Sequence, residues 1–210
     1  MADIRRLKDR VEELIRRNWD LAAIEEKFSR LMRDGIPKKK LRPVEILSDR
    51  QRVLERVQRR AEDYEYLSHS CAKGSALAVM EEFGLGNMEI IKALSPFPGF
   101  GMTGGICGAV TGGLIALGLF FGSDDLADYE ATGRTMTAAR EFIPRFEEEA
   151  GTISCPKIQE DVVFGKYMDP RGSAENFEAF KQAQGYARCA LLPGIGARIA
   201  AEIIIDSLRD

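Results

Sequence analysis

Four cysteines, Cys71, Cys107, Cys155 and Cys189, are separated by 36, 48 and 34 residues. Spacings this long exclude the paired Cys-x-x-Cys knuckles of a zinc ribbon and the local dithiol of a thioredoxin-type site, so any shared sulfur site must be assembled by the fold. Four thiolates are the usual ligand count of a [2Fe–2S] or [4Fe–4S] cluster, and separate helices and loops can deliver them. The same residues can instead work as reversible dithiol/disulfide pairs, with Cys107 as attacking thiolate and the pairing left open by the sequence. A structural four-cysteine zinc site ranks third, because its usual paired knuckles are missing.

Cys107 lies in a glycine-dense run, Gly104-Gly105-Ile106-Cys107-Gly108-Ala109-Val110-Thr111-Gly112-Gly113. At the start of a helix its thiolate is favoured by unpaired N–H groups and the helix dipole. Gly108 and Gly112, four residues apart, share a helical face and leave room for close approach. The segment from Cys107 to Gly112 reads CGAxxG, with one cysteine before it and two after it. In this the chain resembles the four-cysteine redox-active family named C_GCAxxG_C_C, over roughly residues 66–207. A related four-cysteine domain in the split-Soret cytochromes carries an iron–sulfur cluster. The resemblance therefore implies an iron–sulfur cofactor here, with Cys71, Cys107, Cys155 and Cys189 as its ligands. Haem attachment is not carried over, since no Cys-x-x-Cys-His is present.

Other motifs carry less. His69, the only histidine, stands two residues before Cys71, but a lone histidine is more often structural than a ligand. Gly99-Phe100-Gly101-Met102-Thr103-Gly104 spells GxGxxG, yet it follows a proline-rich segment instead of a strand, which argues against nucleotide binding. Neither a Walker loop nor His-Glu-x-x-His is present. The run Lys38-Lys39-Lys40-Leu41-Arg42 joins two helical segments and reads as a solvated connector, so no nucleic-acid partner is expected.

The elements that must position the cysteines are helical. Ile4, Leu7, Val11, Leu14 and Ile15, continuing to Trp19, Leu21 and Ala22, recur at helical spacing, as do Ile24, Phe28, Leu31 and Met32. Gly35 and Pro37 interrupt the second pattern. The domain boundary falls at residues 37–43, dividing an amino-terminal helical extension (1–43) from a four-cysteine helical redox domain (44–210). Ser48 and Gln51 have capping-box spacing. A long helix is expected from there through Val53, Val57, Ala61 and Tyr64 and on past Cys71 to Phe83. Asn87 caps a short helix, and the motif helix follows a loop at residues 95–101. Residues 124–150 read as a helix with Leu126, Tyr129, Phe142, Ile143 and Phe146 in the core and Pro144 as a kink. Cys155-Pro156 marks a turn, and the irregular stretch 160–172 docks through Val162, Val163 and Phe164 as a lid. Leu192-Pro193-Gly194-Ile195-Gly196 is expected to turn before a last helix at 197–208. The fold class is all-α, a helical bundle with an amino-terminal extension.

With 210 residues and 45% hydrophobic composition, the chain can build a core without disulfide staples. Met1-Ala2-Asp3-Ile4-Arg5-Arg6 is charged and lacks the apolar run of a secretory signal, so a reducing cytoplasm is the expected compartment. Residues 93–123 contain no charge, which raises a membrane span as an alternative. The glycine content and the preceding loop favour a buried central helix. The net charge of −3 hides a basic front (18 Lys/Arg against 12 Asp/Glu in residues 1–62) and an acidic remainder. Such segregation suits a homo-oligomer or an unidentified redox partner. The expected function is an iron–sulfur redox or electron-transfer protein, an oxidoreductase or a component of one. Alternatives are a thiol/disulfide redox protein, or a helical adaptor in which the cysteines are spectators.

Overall fold

Amphipathic periodicity and glycine-stripped helix faces together dictate an all-helical bundle. The structure is a computed structural model and describes residues 2–209. Its helices are α1 (Ile4–Arg16), α2 (Leu21–Asp34), α3 (Pro43–Ser48), α4 (Arg50–Ser68), α5 (Cys71–Phe83), α6 (Met88–Ala93), α7 (Gly99–Met102), α8 (Gly108–Phe121), α9 (Tyr129–Ala150), α10 (Cys155–Ile158), α11 (Ala174–Gln182), α12 (Gly185–Cys189) and α13 (Leu191–Asp206). A π-helical turn, Gln159–Val163, continues α10. Extended pairing among the described residues is confined to one antiparallel bridge, Ile106 with Ser154.

Helices α4, α5, α8 and α13 form the centre, and α9 packs on α8 and α13. The approaches are close because glycine removes the side chain that would hold two backbones apart. A methyl on Gly74 would sit 2.9 Å from the Ala61 carbonyl oxygen of α4, and one on Gly196 would sit 2.8 Å from the Ala109 carbonyl oxygen of α8. Gly112 is tighter still, with its missing Cβ overlapping the Ala72 carbonyl oxygen of α5. Across the α5–α8 seam the buried Ser75 hydroxyl donates to the Ala109 carbonyl at 3.1 Å. Ser75→Ala should cost about 1 kcal/mol in urea unfolding; an unchanged midpoint would show that this bond contributes nothing net.

The charge-free segment supplies α8, with Ala109, Val110, Ala116 and Leu117 buried. Among the described residues no helix is long and apolar enough to cross a membrane. The expected α8 start near residue 104 moves to Gly108, with Cys107 at the cap.

The amino-terminal pattern divides into α1 and α2 because the Asp20 carboxylate accepts from the Ala23 N–H at 3.1 Å and starts a new helix. Leu7, Val11, Leu14 and Leu31 join the same core as α4, α5, α8 and α13. The connector near residues 37–43 is bound down as well: the Lys38 and Lys39 ammonium groups donate to the Gly86 and Glu82 carbonyls at the end of α5. Much of the basic front is neutralised within the chain, Arg56 and Arg60 pairing with Glu82 and Lys27 with Glu81.

Several expected boundaries are corrected. The long helix from residue 48 to 83 is two helices, because His69 is left-handed (φ 56°) and Ser70 caps α5. The Ser48–Gln51 capping box does not form: Ser48 donates back to the Glu45 carbonyl and Asp49 precedes α4. The helix expected from residue 124 begins at Tyr129 under an Asp128 cap, leaving Leu126 (98% exposed) and Tyr129 (82%) in solvent instead of the core. That helix runs through Pro144. The turn expected at 192–196 is instead the first turns of α13. Pro193 sits where a helix has unbonded N–H groups anyway, and Gly194 and Gly196 give packing clearance to Glu62 and Ala109.

Candidate functional site

Each cysteine occupies an end of a helix. Cys71 is the first residue of α5, exposed to the break that Ser70 caps by accepting from the Lys73 N–H. Cys107 precedes α8, Cys155 opens α10 ahead of Pro156, and Cys189 ends α12. The Ile106–Ser154 bridge ties two of them together: the Cys107 N–H donates to the Ile153 carbonyl at 2.8 Å and the Cys155 N–H to the Gly105 carbonyl at 2.9 Å. Arg188, the residue before Cys189, donates from its side chain to the Ala183 and Val163 carbonyls.

All four cysteines line one small cavity of about 30 Å³, closed otherwise by Ile158, Gln159, Val163 and Leu192. The four residues singled out in the sequence are therefore brought together, although they lie on four different elements. Gly108 permits it: a methyl there would stand 2.5 Å from the Cys71 sulfur and 2.9 Å from the Ala72 nitrogen. Gly99 stands over Cys155, its missing Cβ 3.6 Å from the sulfur. The four cysteines remain free thiols.

Three of the four thiols are pushed above the ordinary range, and Cys189, at the carboxyl end of α12, gains no thiolate preference from its helix. Cys71 is pushed well above the ordinary thiol range by interaction with the Cys107 thiol and then by burial, although the Gly108 N–H bonds its sulfur and opposes the shift. Burial pushes Cys155 up to about 12 and raises Cys189 well above its usual range. Arg188 is the cation that opposes the shift at Cys189. Without further positive charge these sulfurs keep their protons.

On the other side, Cys71, Cys155 and Cys189 face an open cleft of about 460 Å³. His69 lies on its wall, stacked on Tyr186 with centroids 3.5 Å apart and an 8° interplanar angle. Its proton affinity is lowered by burial and by Arg171. Proline and glycine at 96–101 and the segment at 170–171 supply other walls; the expected docking of the 160–172 stretch is seen in Val162 and Val163, which are buried, and in Pro170 and Arg171, which border the cleft.

Two polar residues at the site carry a signal that cysteine spacing does not reveal. Glu65 on α4 is only 4% exposed and lines the cleft, with its Oε2 atom lacking a hydrogen-bond partner. Burial raises its carboxyl to about 8. Its sequence signal was a carboxylate on the Val57–Ala61 stripe, four residues after Ala61. Gln159 is buried too; its Nε2 lies 3.8 Å from the Cys155 sulfur and its Oε1 accepts from the Met168 N–H at 2.7 Å.

A family model described as "Putative redox-active protein (C_GCAxxG_C_C)" matches residues 69–203, well over half of the sequence. The chain belongs to this family. Membership in the C_GCAxxG_C_C family supports a redox role, and the matched span contains all four cysteines and starts at His69. Comparison with curated proteins and with solved structures found no similar chain. Among the described residues no group of three or more His, Cys, Asp or Glu side chains is arranged to hold a metal ion.

Proposed function

We propose that this C_GCAxxG_C_C protein is an iron–sulfur redox protein whose cluster is held by Cys71, Cys107, Cys155 and Cys189. The observation that carries the reading is that four thiols from four helix ends line one cavity. A tetrahedral zinc ion with Zn–S bonds of about 2.3 Å needs its sulfurs drawn around one point, and no such group occurs among the described residues. A multi-iron cluster needs the sulfurs set apart around a space. The cavity of about 30 Å³ has room for only about one or two waters. The additional space lies towards the cleft, which Cys71, Cys155 and Cys189 already face.

When bound, such a cluster supplies electron transfer, with an external electron carrier as donor or acceptor. The chain's own contributions are separate. Gly108 admits the Cys71 sulfur and gives it an N–H bond, which lowers the energy of negative sulfur. The apolar walls Ile158, Val163 and Leu192 exclude water. The elevated Cys71, Cys155 and Cys189 thiols would hold the cluster as thiolates, ionising only beside the positive charge that iron would supply.

Anaerobically purified protein should contain iron and acid-labile sulfide, and each single Cys→Ser variant should lose most of both. Full iron and sulfide after removing two of the four cysteines would refute a shared site. Zinc without sulfide would establish a structural metal instead.

The thiol/disulfide reading retains one specific support, the direct interaction of the Cys71 and Cys107 thiols. It expects a Cys71–Cys107 cross-linked peptide after mild oxidation of iron-free protein, with reduction restoring both thiols. Metal-free, redox-active protein giving that peptide would favour this reading over the cluster.

A further inference from the structure

The cleft over the cysteines contains polar groups that the sulfur site does not use. Glu65 presents a buried carboxyl with one oxygen unpartnered, and on the same wall the Ser68 hydroxyl is buried without a partner. An unmet buried polar group of this kind is destabilising, and a hydrogen-bonding ligand in the cleft would satisfy it. Two cations, half-buried Lys73 and exposed Arg171, border the same space, and neither pairs with a carboxylate side chain among the described residues. The nearby Asp169 carboxylate accepts from the Arg171 backbone N–H. The remaining walls include Pro96, Pro98, Met102, Phe180 and Tyr186. A space of about 460 Å³ with apolar walls and a few convergent polar groups has the dimensions of a small-molecule site.

We propose that this cleft is a substrate pocket for a small organic acid, whose anionic group is held by Lys73 and Arg171 while Glu65 donates a hydrogen bond to the end nearest the cysteines. An inorganic oxyanion alone would leave the apolar walls wet, whereas an organic body covers them. The anionic group can be a carboxylate or a phosphate ester, since both match the two cations. The raised proton affinity of Glu65 agrees with this arrangement: a neutral carboxyl does not repel the acid and has a proton to donate. The pocket places the ligand's inner end beside Cys71, Cys155 and Cys189. The proposal deepens the redox reading and rests on it only for the chemistry after binding, not for binding itself.

Ligand-observed NMR on the full-length protein, with benzoate and phenyl phosphate as acidic probes and benzamide as the uncharged counterpart, tests the proposal. At least one acid should bind at a single site, about tenfold or more tighter than benzamide. Lys73→Gln and Arg171→Gln should each weaken it about tenfold, Glu65→Ala should weaken it as well, and Arg134→Gln, at an exposed position on α9, should leave it unchanged. Thermal unfolding of each variant checks that the fold is retained. Preference for phenyl phosphate over benzoate would identify a phosphate ester as the ligand class, and the reverse a carboxylate. Failure of both acids to bind, equal binding of benzamide, or indifference to Lys73→Gln and Arg171→Gln would overturn the pocket. Iron content is read separately. Acid binding by iron-free Cys155→Ser protein would leave the pocket standing even if the cluster reading failed, and iron-loaded protein that binds no acid would remove the pocket alone.

Discussion

Replacing Gly112 with alanine should destabilise the protein by about 3 kcal/mol or more, and valine should prevent stable folding. The added carbon overlaps the Ala72 carbonyl oxygen and lies 3.0 Å from the Ser75 Cβ. Backbone atoms cannot rotate out of the way, so α5 and α8 must separate, and every buried contact along their seam loosens with them. Gly118 on the same helix is the control. Nothing lies within 4 Å of its missing Cβ, so Gly118→Ala should be neutral or should stabilise by up to about 1 kcal/mol through helix propensity. Urea unfolding of the two variants compares close packing with propensity on one helix. Equal midpoints would mean that the helices part freely and that the glycine face is not a spacing device. Gly108→Ala should act more locally. Its methyl would meet the Cys71 sulfur at 2.5 Å and the Pro98 Cα at 3.2 Å, so it should also reduce iron content.

Glu65 should make the iron-free protein lose stability as pH rises from about 4.5 to 8. Below its ordinary value of 4.5 the carboxyl is protonated in both folded and unfolded chains and contributes no slope. Above it the unfolded chain releases the proton while the folded chain holds it until about 8. The unfolded state then binds fewer protons than the folded state, and stability falls by about 1.4 kcal/mol per pH unit across the window. The accumulated loss is on the order of 4 kcal/mol at full burial. Glu65→Gln removes the ionisation, so the variant and the parent should be close at pH 4 and should diverge by several kcal/mol at pH 8, with the variant more stable. Burial also raises Glu62 and Asp63, but those slopes are common to both proteins and cancel in the difference. Parallel stability curves from pH 4 to 8 would show that Glu65 ionises as it does in water.

Where a local interaction decides the backbone, the sequence was sufficient. Asn87 caps α6, its side-chain oxygen accepting from the Glu89 N–H, and left-handed Gly84 ends α5; both effects act within a few residues. The all-α class followed from apolar residues recurring at helical spacing, and Phe142, Phe146, Ile199 and Ile204 are buried as that spacing required. The Pro193–Gly196 turn failed as an expectation because proline and glycine also suit a helix start and a tight seam. The gains from burying Leu191, Leu192 and Ile195 come from neighbours distant in the chain. Leu126 and Tyr129 show the converse: apolar side chains left in solvent because the Asp128 cap starts α9 only after Leu126 and leaves Tyr129 on its exposed first turn.

The sequence by itself determined the four sulfurs, the small-residue face beside Cys107 and the helical means of presenting them, since residue type and spacing act locally. Only the tertiary structure decided that Cys71, Cys107, Cys155 and Cys189 share a cavity and that Glu65, Gln159, Lys73 and Arg171 belong to its surroundings. It likewise decided that interaction with the Cys107 thiol at Cys71, and burial at Cys71, Cys155 and Cys189, would hold these thiols above their ordinary range. Convergence and desolvation depend on which distant surfaces meet, a property of packed helices that local spacing does not contain.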